Sequence, residues 1–141
     1  MKKLLAILAF ISVSAVGYGQ AEVDEDGFQS FSYQEGDTTF HMRQYVFVML
    51  KAGPNKDDFT AEQLQEIQAG HMAHLNKLAE SGKLAIAGPF GDDSEWRGIL
   101  IFNVPTVEEV EELVSEDPAI KAGRLVAEIH PWWGARGTKL P

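Results

Sequence analysis

GHMAHLNKLAESGKLAIAGPF, residues 70–90, contains the end of one element, a complete break and most of the next element. At about 100° per residue, Leu64, Ile67, His71, Leu75 and Leu78 share one helical stripe, with Met72 and Ala79 beside it. His74 lies at the opposite edge, looking outward. The pattern ends at Ser81, and Gly82 is the expected glycine after a helix C-terminus. KLAIAGPF then reads as a strand broken at Gly88-Pro89.

Working outward, the helix begins at Thr60-Ala-Glu-Gln63, a capping box in which Gln63 reaches back to the cap. Before it, QYVFVMLKAG (44–53) is a strand stopped at Gly53-Pro54, and PNKDDF is a loop. After residue 90, GDDSEW is a turn-rich loop and RGILIFNV (97–104) a third strand ending at Pro105. Thr106-Val-Glu-Glu109 opens a second capping box. Val107, Val110, Leu113 and Val114 give that helix its apolar stripe. In EDPAIKAG, Asp117 reads as an N-cap, Pro118 as the first residue of a short helix and Gly123 as its stop. RLVAEIHPWW (124–133) is the fourth strand, and the tail 134–141 is irregular. The order β-α-β-β-α-β predicts an α+β, ferredoxin-like fold: a four-stranded antiparallel sheet with two main helices on one face.

Residues 1–19 read as a signal peptide, with Lys2 and Lys3 before a short apolar run and small residues at Gly17 and Gly19. The expected location is therefore periplasmic or secreted, with no membrane association after cleavage. With 0 cysteines, neither a lipid-anchored cysteine nor a disulfide framework can form. The chain carries 21 acidic and 12 basic residues, which argues against nucleic acid as a partner. Residues 20–42 are acidic and polar and read mostly as a linker or flap. Phe28, Phe31, Tyr33 and Phe40 leave room there for a hairpin turning at Gly36-Asp37. The folded domain is expected from 43 to 133.

Tyr45–Leu50 and Ile99–Phe102 are apolar at consecutive positions, as in strands buried on both faces. Two helices cover only one face of such a sheet. A second copy laid against the other face is the economical answer, predicting a homodimer.

His71 stands where leucine would pack better. Three uses fit an imidazole there: a structural hydrogen bond to backbone, a general acid–base, or a metal ligand. The metal reading is poor, because His71-Met-Ala-His74 lacks the spacing and the glutamate of HExxH. No metal and no cofactor are expected. Gly88 and Pro89 read as a turn or as backbone lining a pocket mouth. Trp132 and Trp133 read as packing residues, with Trp132 also a candidate to stack on a ring substrate.

HMAHLNKLAESGKLAIAGPF, a strand with Gly98, and EDPAIKAGRLVAEIHPW together resemble the YciI-like (YCII-related) domain family over Tyr45–Trp132. The matching features are His71, Gly82, Ala87-Gly88-Pro89 and Asp117-Pro118 with Ala122-Gly123. The resemblance implies a dimeric α/β-barrel with a pocket between helix and sheet, and a His–Asp active site that falls on His71 and Asp117. Most members of that family have no assigned reaction. One characterised relative eliminates chloride from a chlorinated hydroxyhydroquinone, and similar barrels include muconolactone isomerases and cofactor-free monooxygenases. Some members carry an arginine three residues before the histidine, where this chain has Gln68. Arg97 or Arg124 could supply the charge instead. The expected function is cofactor-independent proton transfer on a small organic molecule, of lyase, isomerase or hydrolase type. The alternative is a non-catalytic dimer that binds a small molecule or a protein partner.

Overall fold

The computed structural model describes residues 20–141, so the signal peptide read in residues 1–19 lies outside the described residues. The elements are β1 (Glu22–Val23), β2 (Gln29–Glu35), β3 (Thr38–Ala52), α1 (Ala61–Glu80), β4 (Leu84–Pro89), β5 (Trp96–Phe102), α2 (Val107–Ser115), α3 (Pro118–Lys121) and β6 (Leu125–Ala135).

β3 organises one antiparallel sheet. β6 runs along one of its edges, from Met42↔Ala135 to Ala52↔Leu125. β2 and β5 follow each other along the opposite edge, β2 against the first part of β3 and β5 from Val46↔Phe102 to Lys51↔Trp96. β4 then pairs with the outer side of β5. The arrangement β6-β3-β5-β4 is the ferredoxin-like core.

The sheet has 6 strands, not four. The additional strands come from residues read mostly as a linker or flap, and the hairpin allowed for there does turn at Gly36-Asp37. Phe31 and Tyr33 alternate with serine and glutamine, and Tyr33 stacks on Phe40 across the hairpin at 5.0 Å. Gly36, at φ 58°, makes the turn. No glycine or proline interrupts the chain from there to Gly53, so β3 runs unbroken through Arg43. The four aromatics pointed to the hairpin, while the acidic and polar composition hid its continuity with the core strand through Arg43.

The helices cover one sheet face. Val46, Val48, Leu50, Leu100 and Phe102 point into it and pack against Leu75, Leu78, Val110 and Val114. On the other face Tyr45, Phe47, Met49, Ile99 and Ile101 are only half-buried within the single chain. Phe28 folds back over one end of that face, 6.4 Å from Tyr45 and 4.2 Å beneath the Arg43 guanidinium.

Local signals set the helix ends. Both bonds of the Thr60–Gln63 box form, and Gly82 adopts φ 76° after α1. The box at Thr106 is only half made. Thr106 Oγ1 accepts from Glu109 N–H at 3.2 Å, while the Glu109 carboxylate turns away to Lys83 at 2.8 Å. An ion pair with a neighbouring element competes here with the reciprocal cap.

Candidate active site

The α1 stripe delivers His71 to the core side of the helix, where it is 7% exposed. Its partner comes from the loop before α3. Asp117, 2% exposed, accepts a hydrogen bond from His71 Nδ1 at 2.7 Å through Oδ2. Its Oδ1 caps α3 by accepting from Ala119 N–H at 2.8 Å. Capping and histidine binding therefore coexist on one carboxylate, one oxygen each.

Gly70 makes this meeting possible. A β-carbon there would lie 3.0 Å from Pro118 Cγ and 3.2 Å from Pro118 Cβ. A mid-helix glycine costs about 1 kcal/mol relative to alanine. Here it lets α3 approach α1 closely enough for Asp117 to reach the imidazole. Gly70 was not among the residues singled out from sequence. The signal was present: a glycine inside an amphipathic helix, one residue before the odd histidine.

With Nδ1–H donated to a carboxylate, Nε2 becomes the acceptor nitrogen of the neutral imidazole. Nε2 has no hydrogen-bond partner among the described residues, yet it is not a sealed, unsatisfied atom. It opens on a cavity of about 510 Å³, for which His71 supplies part of the lining. That volume is in the range of small-molecule sites.

The cavity lies between α1 and the strands β3, β4 and β5, and Leu125 at the start of β6 adds to its lining. Leu50, Met72, Leu75 and Leu100 form its apolar lining, and Gly88, Pro89 and Arg97 also border it. Gly98 keeps the strands close, since a β-carbon there would lie 2.7 Å from the Gly88 carbonyl oxygen. Arg124 also borders the cavity. Its strand is tied to the end of β3 by Gly53 N–H donating to Arg124 O at 2.8 Å and Asn55 N–H donating to Gly123 O at 3.0 Å.

Of the residues expected from sequence, His71, Gly88, Pro89 and Arg97 meet at this cavity, and Asp117 stands behind His71. Trp132 does not join them. It pairs in register with Tyr45, on the sheet face turned away from the helices, where it is exposed and packs 6.2 Å from the Tyr45 ring. The phase of β6 carried this information: Leu125, Ala127 and Ile129 alternate with Val126, Glu128 and His130, and Trp132 continues the second set.

His74 has a different task. Its Nε2 lies 2.9 Å from Leu113 O and ties α1 to α2. His41 bonds to Ser32 across the N-terminal hairpin. Among the described residues, no three His, Asp or Glu side chains gather as a metal-ligating group.

A family model described as the YCII-related domain matches residues 45–133. The uncharacterized protein YjpA of Bacillus subtilis (strain 168) is 28% identical over 88 residues, which cover 62% of this chain and 94% of that protein. Among solved structures, 5-chloro-2-hydroxyhydroquinone dehydrochlorinase (TftG) from Burkholderia phenoliruptrix AC1100, in complex with 2,5-dihydroxybenzoquinone, is 24% identical with a TM-score of 0.44. The match covers 62% of this chain and 92% of that one.

Proposed function

The chain belongs to the YCII-related domain family, and on that premise we propose that it is a small-molecule enzyme working by proton transfer. His71 is the general acid–base and Asp117 the positioning residue. The observation that carries the reading is the buried 2.7 Å bond from His71 Nδ1 to Asp117, which leaves Nε2 facing the cavity. The carboxylate holds the ring in one tautomer and orientation, so the lone pair of the free nitrogen is aimed at the bound molecule. Nε2 removes a proton from an acidic C–H of the bound molecule, and the electron pair passes into an adjacent carbonyl as an enolate. Return of the proton at another carbon completes an isomerisation. Expulsion of a leaving group from the neighbouring carbon completes an elimination. Neither outcome needs a cofactor.

The test follows proton exchange directly. Small enolisable ketones, lactones and phenols are incubated with the protein in deuterium oxide, and loss of the acidic C–H signal is read by NMR. His71→Gln should abolish any exchange that the protein catalyses, with little change in folding. Exchange that persists unchanged in this variant would sink the reading.

The half-buried sheet face supports a second element of the proposal. Tyr45, Phe47, Met49, Ile99 and Ile101 form an apolar surface beside exposed Trp132, and a second copy would cover it. The assembly is then a homodimer through sheet faces. Sedimentation should show a dimer at micromolar concentration, and Phe47→Glu should yield a monomer. A wild-type monomer would contradict it. Export is proposed from residues 1–19, and N-terminal sequencing of the processed protein should begin near residue 20.

A further inference from the structure

We propose that the cavity is selective for small organic acids, whose carboxylate is held by Arg97 and Arg124 while an acidic C–H faces His71. This inference rests on the proton-transfer reading and names its substrate class.

The argument is the local charge. Acidic residues outnumber basic ones 21 to 12 in the chain, yet the cavity lining reverses the balance. Lys56, Arg97 and Arg124 border it, against the single carboxylate of Asp57. Lys56 and Asp57 neutralise each other, with Nζ 2.7 Å from Oδ2. Among the described residues, neither of the two guanidinium groups forms an ion pair. Arg97 makes no ion pair and no side-chain hydrogen bond among the described residues. Asp92 senses the Arg97 charge, but its carboxylate is engaged by the Ser94 hydroxyl at 2.8 Å.

Arg124 is held without being neutralised. One guanidinium nitrogen donates to Gln68 Oε1 at 2.8 Å, and an amide oxygen carries no charge. Gln68 is on α1, one turn before His71, so the same helix positions both the cation and the imidazole. A guanidinium restrained by a neutral partner keeps donors free for a planar carboxylate. The apolar wall of Met72, Leu75 and Leu100 suits a hydrocarbon body attached to that carboxylate.

The experiment is an NMR titration of the full chain with benzoate, benzamide and benzamidine, which share a ring and differ in charge. Benzoate should bind at least about tenfold more tightly than the other two, and should shift the Met72 methyl and His71 ring signals. Arg97→Gln and Arg124→Gln should each weaken benzoate by about tenfold, the size of one charged hydrogen bond. Arg97→Lys, which keeps the charge at an exposed site, should recover part of the loss. Comparable affinity for all three probes, unchanged benzoate affinity in both glutamine variants, or no benzoate binding would each overturn the proposal. His71→Gln should still bind benzoate. Selective benzoate binding without catalysed C–H exchange would refute proton transfer alone. Catalysed C–H exchange in a protein that binds benzoate, benzamide and benzamidine equally would refute the anion site alone.

Discussion

Asp117→Asn isolates what the carboxylate does for His71. Asp117 Oδ1 faces the Ala119 N–H and Oδ2 faces His71 Nδ1. Asparagine supplies one oxygen and one NH2 group. Placing the NH2 group against the Ala119 amide would oppose two donors, so the oxygen must keep the cap. The NH2 group then meets His71 Nδ1, which has to become the acceptor. The tautomer inverts, and the proton moves to Nε2, facing the cavity. Each original bond is replaced by a neutral one, so stability should fall by only about 1 kcal/mol. Asp117→Ala is harsher. Loss of the cap costs about 1 kcal/mol, and a stranded buried imidazole N–H costs a further 1–3, or roughly 2–4 kcal/mol together. The assays are urea unfolding for stability and nitrogen-15 NMR of the imidazole for the tautomer. Retention of the Nδ1–H form in Asp117→Asn, or a cost below about 1 kcal/mol for Asp117→Ala, would refute the reasoning.

Gly70→Leu should destabilise the chain by about 1–3 kcal/mol despite leucine's better helix propensity, because Pro118 already occupies the space. Urea midpoints measure the loss, and imidazole NMR should show His71 separated from Asp117. Gly98→Ala should weaken the β4–β5 edge beside the cavity, since its β-carbon would sit 2.7 Å from the Gly88 carbonyl oxygen. Faster amide exchange at Ile99 and Leu100 would report this. The third prediction concerns acid. Burial tends to raise the Asp24 pKa, but the Phe28 amide and the Arg43 guanidinium outweigh it and hold the carboxyl below its ordinary 3.8. A depressed carboxyl pKa adds stability that is complete above the unfolded value and is lost as pH falls through the folded one. The N-terminal segment should therefore stay docked at pH 5 and loosen below about pH 4. Loss of protection at the Phe28 amide should track this, and Asp24→Asn should loosen the segment at neutral pH.

The order of the core elements was legible because each boundary is a local event. Thr60 with Gln63, Gly82, Gly53-Pro54, Pro105 and Asp117-Pro118 act within a few residues of themselves, and short-range hydrogen bonding and dihedral preference suffice to place them. His71 was conspicuous for a similar reason: helical spacing alone puts it on the apolar stripe. Its bond to Asp117 was expected through family resemblance, not from the spacing. The cap explained Asp117 without any histidine.

Tertiary structure decided what depends on residues far apart in the chain. His71 and Asp117 are 46 residues apart, and their contact exists because Gly70 admits Pro118 against α1. Register decided that Trp132 belongs to the face away from the helices, and long-range pairing turned the acidic segment before Arg43 into an extension of the sheet. The cavity's charge is likewise a product of assembly. Lys56, Arg97 and Arg124 come from a loop, a strand and the edge of another strand, and only folding gathers them. Sequence by itself determined where elements start and stop, because those signals are local. The structure determined which side chains share a space, because closing the chain over long separations sets that.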